Sequence, residues 1–203
     1  MDTKRQHRGL SPIGIALALL SAAGIAAALT LLYQGMGFIM RTEGGFVAAG
    51  GPYEIVHPAP DWVWLIPLSI WAGVLFAGLH LFASFRGWGV NLIAVIWGAL
   101  FVSLGWNFLR FGLHSPFGGG IEWGWLISGV VFWTMGFVPI IAVARWVRAG
   151  WRQIAERQPI LPGMQPFGIP AADTHVAYVA AQVAGAIGGL AGGIALFRAI
   201  AGG

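Results

Sequence analysis

The sequence contains no cysteine, which excludes disulfides, thiolate catalysis, iron–sulfur clusters and cysteine-ligated zinc sites. Its one lysine, Lys4, lies in the polar N-terminal tail, so no apolar segment offers the Schiff-base lysine that a retinal protein needs. Charged residues make up only 9% of the chain, against about 25% in a typical soluble domain. The phosphate-binding GxxxxGK[ST], HExxH and GxSxG motifs are also missing. These absences disfavour the common soluble enzyme classes.

Long apolar segments dominate what is present, and 58% of the residues are hydrophobic. About 20 consecutive apolar residues are enough for a helix to cross a bilayer. Five segments meet this length, at about 12–35, 62–85, 90–113, 123–144 and 175–197. We therefore predict an all-α integral membrane protein, a bundle of five transmembrane helices that forms a single domain over residues 1–203.

The first apolar segment has a second interpretation, because basic residues precede it and small residues, Ala26 and Ala28, lie within it. This pattern is typical of a cleaved signal peptide, which would leave four helices. The apolar stretch is longer than the usual signal-peptide core of about 7–15 residues. That length favours a membrane-spanning helix.

The distribution of basic residues predicts an orientation in the membrane. With five spans and a cytoplasmic N-terminus, the C-terminus is outside, and most basic residues fall on the cytoplasmic side, as the positive-inside rule requires. These residues are Lys4, Arg5, Arg8, Arg86, Arg145, Arg148, Arg152 and Arg157. They form no soluble basic face, so nucleic-acid binding is not expected. The alanine-rich, cysteine-free composition favours a bacterial plasma membrane.

Two connecting segments stand out by their composition. The outer loop, residues 41–61, is rich in glycine and proline and is predicted to fold as a lid over the bundle. The cytoplasmic segment, residues 145–174, begins with an amphipathic helix suited to an anionic lipid surface and continues as a proline-rich linker. Asp173 or Thr174 is the expected cap of the last helix.

Small residues recur every four positions in two of the predicted spans. Gly185, Gly189 and Gly193 form one such ridge in the last span, and Ala184, Gly188 and Gly192 form another. Ridges of this kind let helix backbones approach closely. We expect the last helix to pack tightly into the bundle, or against a partner protein or second copy through Gly185, Gly189 and Gly193. A similar ridge in the first span contains Gly14, Ala18, Ala22 and Ala26.

The strongest indication of a site is a polar stripe in the third span, formed by Ser103, Asn107, Arg110 and His114. Their spacing of four, three and four residues places them on one face of a helix. An arginine in an apolar segment is costly unless it is paired or hydrated. One interpretation is a binding site for an anion, lipid headgroup or substrate at the outer mouth of the bundle. The other is a structural salt bridge from Arg110 to Glu43, Glu54 or Glu122.

Neither metal binding nor haem binding is predicted. Glu54 and His57, with His114 and Glu122, have ligand chemistry, and we include them among the candidate binding residues. Prolines on both sides of this Glu-x-x-His pair prevent the helix that di-metal sites use. His80 is expected to bond a backbone carbonyl or a serine such as Ser69 or Ser128, rather than to share a haem with His175.

Three functions follow from these patterns, in order of preference. The first is a non-catalytic accessory or assembly subunit of a membrane complex. The second is a component of a small-solute or ion transporter or channel, with its polar site near the outer surface. The third is a membrane enzyme that uses the Glu54, His57, Arg110 and His114 cluster, or else a haem or metal protein.

Overall fold

The computed structural model describes residues 10–42, 60–115, 120–155 and 174–202. Within these ranges all regular structure is helical. The five helices are α1 (Pro12–Thr42), α2 (Leu65–Phe85), α3 (Ile93–Leu113), α4 (Trp123–Ala155) and α5 (Val176–Ala201). Each is long and apolar enough to cross a membrane. The predicted all-helical architecture with five candidate spans is confirmed at this level.

The helices begin and end at different residues from the predicted spans, most clearly in α1, α4 and α5. Helix α1 continues to Thr42 and α5 to Ala201. Helix α4 has 33 residues, which corresponds to about 50 Å at 1.5 Å per residue. This exceeds the roughly 30 Å hydrocarbon core of a bilayer. The basic segment that begins at Arg145 is thus helical through Ala155 as a continuation of α4. Its predicted faces and the proline-rich linker lie outside the described side chains.

Helix α1 is the centre of the bundle. It packs against α2, α3 and α5, whereas α4 packs mainly on α3. Helices α1 and α5 run in the same direction, because Ser11 meets Tyr178 at their first residues and Phe38 meets Phe197 near their last. In contrast, α2 runs antiparallel to α1, since its first turns lie near the end of α1.

The α3–α4 hairpin completes an alternating order of helix directions. The start of α3 lies beside the end of α2, where Leu92 bonds His80. Helix α4 runs back along α3, with Gly98 against Gly136 and Gly112 against Leu126. We call the two ends of the bundle the Ser11 end, where α1, α3 and α5 begin, and the Trp62 end. Successive helices therefore alternate in direction, as successive membrane spans must.

The contact between α1 and α5 depends on the absence of side chains. A Cβ atom at Gly185 or Gly189 would overlap the backbone carbonyl of Leu19 or Ala23, respectively, and one at Gly193 would lie 2.9 Å from Thr30 Cβ. The Gly185, Gly189 and Gly193 ridge is therefore used inside the bundle. The other ridge of α5 is exposed, and a Cβ at Gly188 or Gly192 would meet open space.

Glycines also set the contact between α3 and α4, but at a spacing of seven residues. A Cβ at Gly98 would lie 2.8 Å from the carbonyl oxygen of Gly136, and one at Gly136 equally close to that of Gly98. Two turns further along α3, a Cβ at Gly105 would lie 3.0 Å from the carbonyl oxygen of Gly129. A seven-residue repeat keeps one face of a helix against its neighbour over several turns.

Apolar clusters close the α1–α2–α5 contact at each end. At the Trp62 end, Trp62 and Phe197 pack edge to face at 5.3 Å, with Leu31, Ile39 and Leu65 buried around them. At the Ser11 end, Ala18, Tyr178 and Ala181 are buried against Trp88. The first half of α1, around Leu19 and Ala23, therefore contributes directly to the contact with α5.

Candidate functional site

The predicted polar stripe of α3 divides into two parts, and its first part is turned towards protein. Ser103 is half-buried, and its hydroxyl donates to the carbonyl of Leu100 in the same helix at 2.9 Å. Asn107 is buried, and its Nδ2 donates to the carbonyl oxygen of Tyr33 on α1 at 3.0 Å. Asn107 therefore joins the α3–α4 hairpin to the central helix.

The second part of the stripe is exposed at the Trp62 end. Arg110 lies in the last turn of α3, and His114 follows the helix as its C-cap. Glu122 is brought close to them, because its backbone N–H donates to the carbonyl of Gly112 at 2.9 Å. Among the described residues Arg110 forms no salt bridge. A cation at a helix C-terminus is favoured by the helix dipole, so its position there is favourable even without a carboxylate partner.

The predicted lid and its acids lie outside the described residues, which include neither Glu54 nor His57 nor the rest of residues 43–59. In the described part of the chain, no three His, Cys, Asp or Glu side chains cluster as metal ligands. The structure thus brings Arg110, His114 and Glu122 to one end, and places Asn107 deeper, against α1.

A second polar cluster lies at the Ser11 end and was missed in the sequence. Gln182 of α5 is buried and bonds both backbone groups of Val90, its Oε1 accepting at 3.1 Å and its Nε2 donating at 3.0 Å. The neighbouring Gly89 has a φ of +142°, and a Cβ there would overlap the Gln182 carboxamide. Gln182 thus fixes the α2–α3 turn to α5. Its signal was available, because Tyr178, Gln182 and Gly185 share one face of the last span.

His80 takes part in the same turn. It is buried, and its Nε2 accepts the backbone N–H of Leu92 at 3.1 Å. The suggested serine partners were wrong, because Ser69 and Ser128 each donate to a carbonyl of their own helix. The ring instead reaches across to the backbone at the start of α3. Since Nε2 accepts, the proton of the neutral ring is on Nδ1. That Nδ1 has no hydrogen-bond partner among the described residues.

The first turns of α1 and α5 are joined at this end as well. The Ser11 backbone N–H donates to the Tyr178 hydroxyl at 2.9 Å, and the Ser11 hydroxyl caps α1 by accepting the Gly14 N–H. Helix α5 is capped by His175, whose Nδ1 accepts the Ala177 N–H at 3.1 Å. The prediction of Thr174 as the cap was wrong, since its hydroxyl has no partner in the described part of the chain. Asp173 lies outside that part.

The buried polar side chains therefore act mainly on the backbone of neighbouring segments. Asn107, Gln182 and His80 each hold a main-chain group of another helix or turn. Such bonds remove polar groups from contact with lipid and fix one helix arrangement. Comparisons with known protein families, with curated proteins and with solved structures found no match.

Proposed function

We propose that this chain is a non-catalytic integral membrane protein that serves as an accessory or assembly subunit of a larger membrane complex. The observation that supports the proposal is that the buried polar side chains form hydrogen bonds within the chain itself. Asn107 and Gln182 are both engaged with backbone of the same chain, so neither is left free to bind a passing solute. A bundle held together in this way is suited to a structural role.

The proposal includes an orientation. The helix directions alternate, so Arg86, Arg145 and Arg148 belong to the Ser11 end, whereas Asp61, Glu122, Arg110 and Arg198 belong to the Trp62 end. With Lys4, Arg5 and Arg8, which precede α1 in the sequence, the Ser11 end has the larger share of basic residues. The positive-inside rule therefore supports a cytoplasmic Ser11 end. A bacterial plasma membrane is the proposed location, on the composition of the chain.

Single cysteines test the orientation cleanly, because the chain has none of its own. Arg148→Cys should resist a membrane-impermeant maleimide in intact cells and react after the membrane is opened. Asp61→Cys should react in intact cells. The reverse pattern would invert the proposed orientation without affecting the helix assignments.

The subunit role is tested by purifying the tagged chain, expressed at its native level, in digitonin and in a harsher detergent. We expect a stoichiometric membrane-protein partner in digitonin that is lost in the harsher detergent. A chain that stays alone in both would contradict the proposal. Ion or solute flux in proteoliposomes that Arg110→Ala abolishes would also contradict it, and would favour a transporter.

A further inference from the structure

The side chain of Arg86, directly after the last residue of α2, packs against two aromatic rings. Its guanidinium carbon lies 5.3 Å from the centre of the Phe82 ring and 6.0 Å from that of Trp88. The two rings pack edge to face at 6.3 Å. Trp88 is itself held in place, since a Cβ at Gly14 would lie 2.7 Å from its ring. The aromatic support thus fixes an exposed cation at the end of a membrane-length helix.

No acidic side chain of the described residues is close enough to neutralise this cation. The acids in the described ranges are Asp61 and Glu122, and both belong to the Trp62 end. Asp61 precedes the 21-residue helix α2, and Arg86 follows it, a separation of roughly 30 Å at 1.5 Å per residue. This is several times the Debye length of about 8 Å at physiological ionic strength. Among the described residues, therefore, no carboxylate competes with an external anion for this guanidinium.

The position of Arg86 selects the kind of anion. With α2 in a bilayer, the residue after its last apolar turn lies at the level of the lipid headgroups, where tryptophans such as Trp88 are also favoured. A guanidinium donates two parallel hydrogen bonds to phosphate oxygens, which a lysine ammonium cannot do. Nearby backbone donors are not available, because the N–H groups of Gly87 and Trp88 bond the carbonyls of Ser84 and Ala83.

We propose that Arg86, supported by Phe82 and Trp88, is a binding site for the phosphate of an anionic glycerophospholipid. This site differs from the surface predicted for residues 145–157, because it belongs to the end of α2 and the turn that follows. The aromatic rings restrain the guanidinium before the lipid arrives, so that less side-chain freedom is lost on binding. The headgroup would then sit beside the first turns of α1 and α5, which Trp88 and Tyr178 join.

The proposal is tested by binding of dioleoyl phosphatidylglycerol to the purified full chain in neutral detergent, measured by native mass spectrometry and by thermal stabilisation. Dioleoyl phosphatidylcholine serves as the neutral lipid. The wild-type chain should prefer phosphatidylglycerol. Arg86→Ala should weaken that binding about tenfold, and Arg86→Lys should have an intermediate effect because it keeps the charge but not the planar fork. Arg198→Ala, an exposed arginine at the opposite end, should change nothing.

Several results would overturn the proposal. Unchanged phosphatidylglycerol binding in Arg86→Ala is one, and an equal loss in Arg198→Ala is another, because it would indicate general surface charge. Inorganic phosphate that competes as strongly as the lipid would show a free-anion site instead. If Arg86→Ala does not give a monodisperse protein, Arg86→Gln provides the same comparison with a longer polar side chain.

Discussion

Substitution of Gly189 by alanine places one methyl group at the closest approach of α5 to α1. That methyl group would overlap the backbone carbonyl of Ala23, which cannot rotate away as a side chain can. Forcing extra atoms into a packed contact costs about 1–3 kcal/mol. Alanine recovers up to about 1 kcal/mol through its higher helix propensity. We therefore expect Gly189→Ala to lower the free energy of unfolding by about 1–2 kcal/mol.

The neighbouring residue supplies a matched control. Gly188 is in the same helix and undergoes the same chemical change, but a Cβ there meets nothing within 4 Å. Gly188→Ala should leave stability unchanged or raise it by up to about 1 kcal/mol. Gly193→Ala should fall between the two, because its nearest obstacle is the Thr30 side chain at 2.9 Å.

The measurement is equilibrium unfolding of the purified chain in dodecyl maltoside with increasing dodecyl sulfate, followed by tryptophan fluorescence. The informative quantity is the difference between Gly188→Ala and Gly189→Ala, since helix propensity contributes equally to both. We expect a difference of about 2 kcal/mol. If Gly189→Ala is as stable as Gly188→Ala, the parallel α1–α5 packing is wrong.

Three further substitutions test the remaining contacts. Gln182→Leu should destabilise the chain by roughly 1–2 kcal/mol, because it removes both bonds to Val90 and leaves half-buried backbone groups unpaired; thermal unfolding measures this, and a neutral result would refute the stabilising role of the Gln182–Val90 contact. Asn107→Leu should lower stability by about 0.6–1.7 kcal/mol, whereas Ser103→Ala, which loses only a bond within its own helix, should change it by less than about 0.5 kcal/mol; equal effects would contradict the interhelical role of Asn107. Gly136→Ala should lower the free energy of unfolding by about 1–3 kcal/mol, whereas Gly124→Ala should be near-neutral; if Gly124→Ala were the more destabilising of the two, the observed α3–α4 contact would be excluded.

The helices were predictable because length and apolarity are local properties of the sequence. Each of the five segments exceeds the length of a bilayer span and is bounded by polar, glycine or proline residues. The exact ends of the helices were not predictable, because helical backbone hydrogen bonding continues past the apolar segment wherever no residue interrupts the helix. In α4 the basic residues after Ala144 change the surface of the helix but not its backbone.

The sequence alone does not determine which faces of the helices are in contact. Helix α5 carries two ridges of small residues with the same four-residue spacing, and only the one with Gly189 faces α1. The two ridges differ by one methyl group, at Ala184, which is too small a difference to decide which of them faces α1. The seven-residue glycine spacing in α3 and α4 is visible in the sequence, but a spacing alone does not name the partner helix.

The spacing of the α3 stripe predicts a shared helix face, but it does not predict depth. Burial changes along the stripe, from Asn107 at 4% exposed to an exposed Arg110, and His114 follows the helix as its C-cap. Helical spacing gives direction and carries no information on how deeply a residue lies. The Gln182–Val90 contact joins residues 92 positions apart, so it follows from the packing of α5 and not from any local pattern.

The pairing of α1 with α5 has a consequence for biosynthesis. Helix α1 is synthesised before α2, α3 and α4, yet its main partner, α5, follows all of them. Until α5 arrives, the carbonyls around Leu19 and Ala23 lack their close neighbour. The α3–α4 hairpin, whose partners are adjacent in the chain, can assemble meanwhile. A chain truncated before α5 would thus contain a folded α3–α4 hairpin but would leave the α5-binding surface of α1 exposed. Exposed packing surfaces of this kind are what membrane quality control recognises.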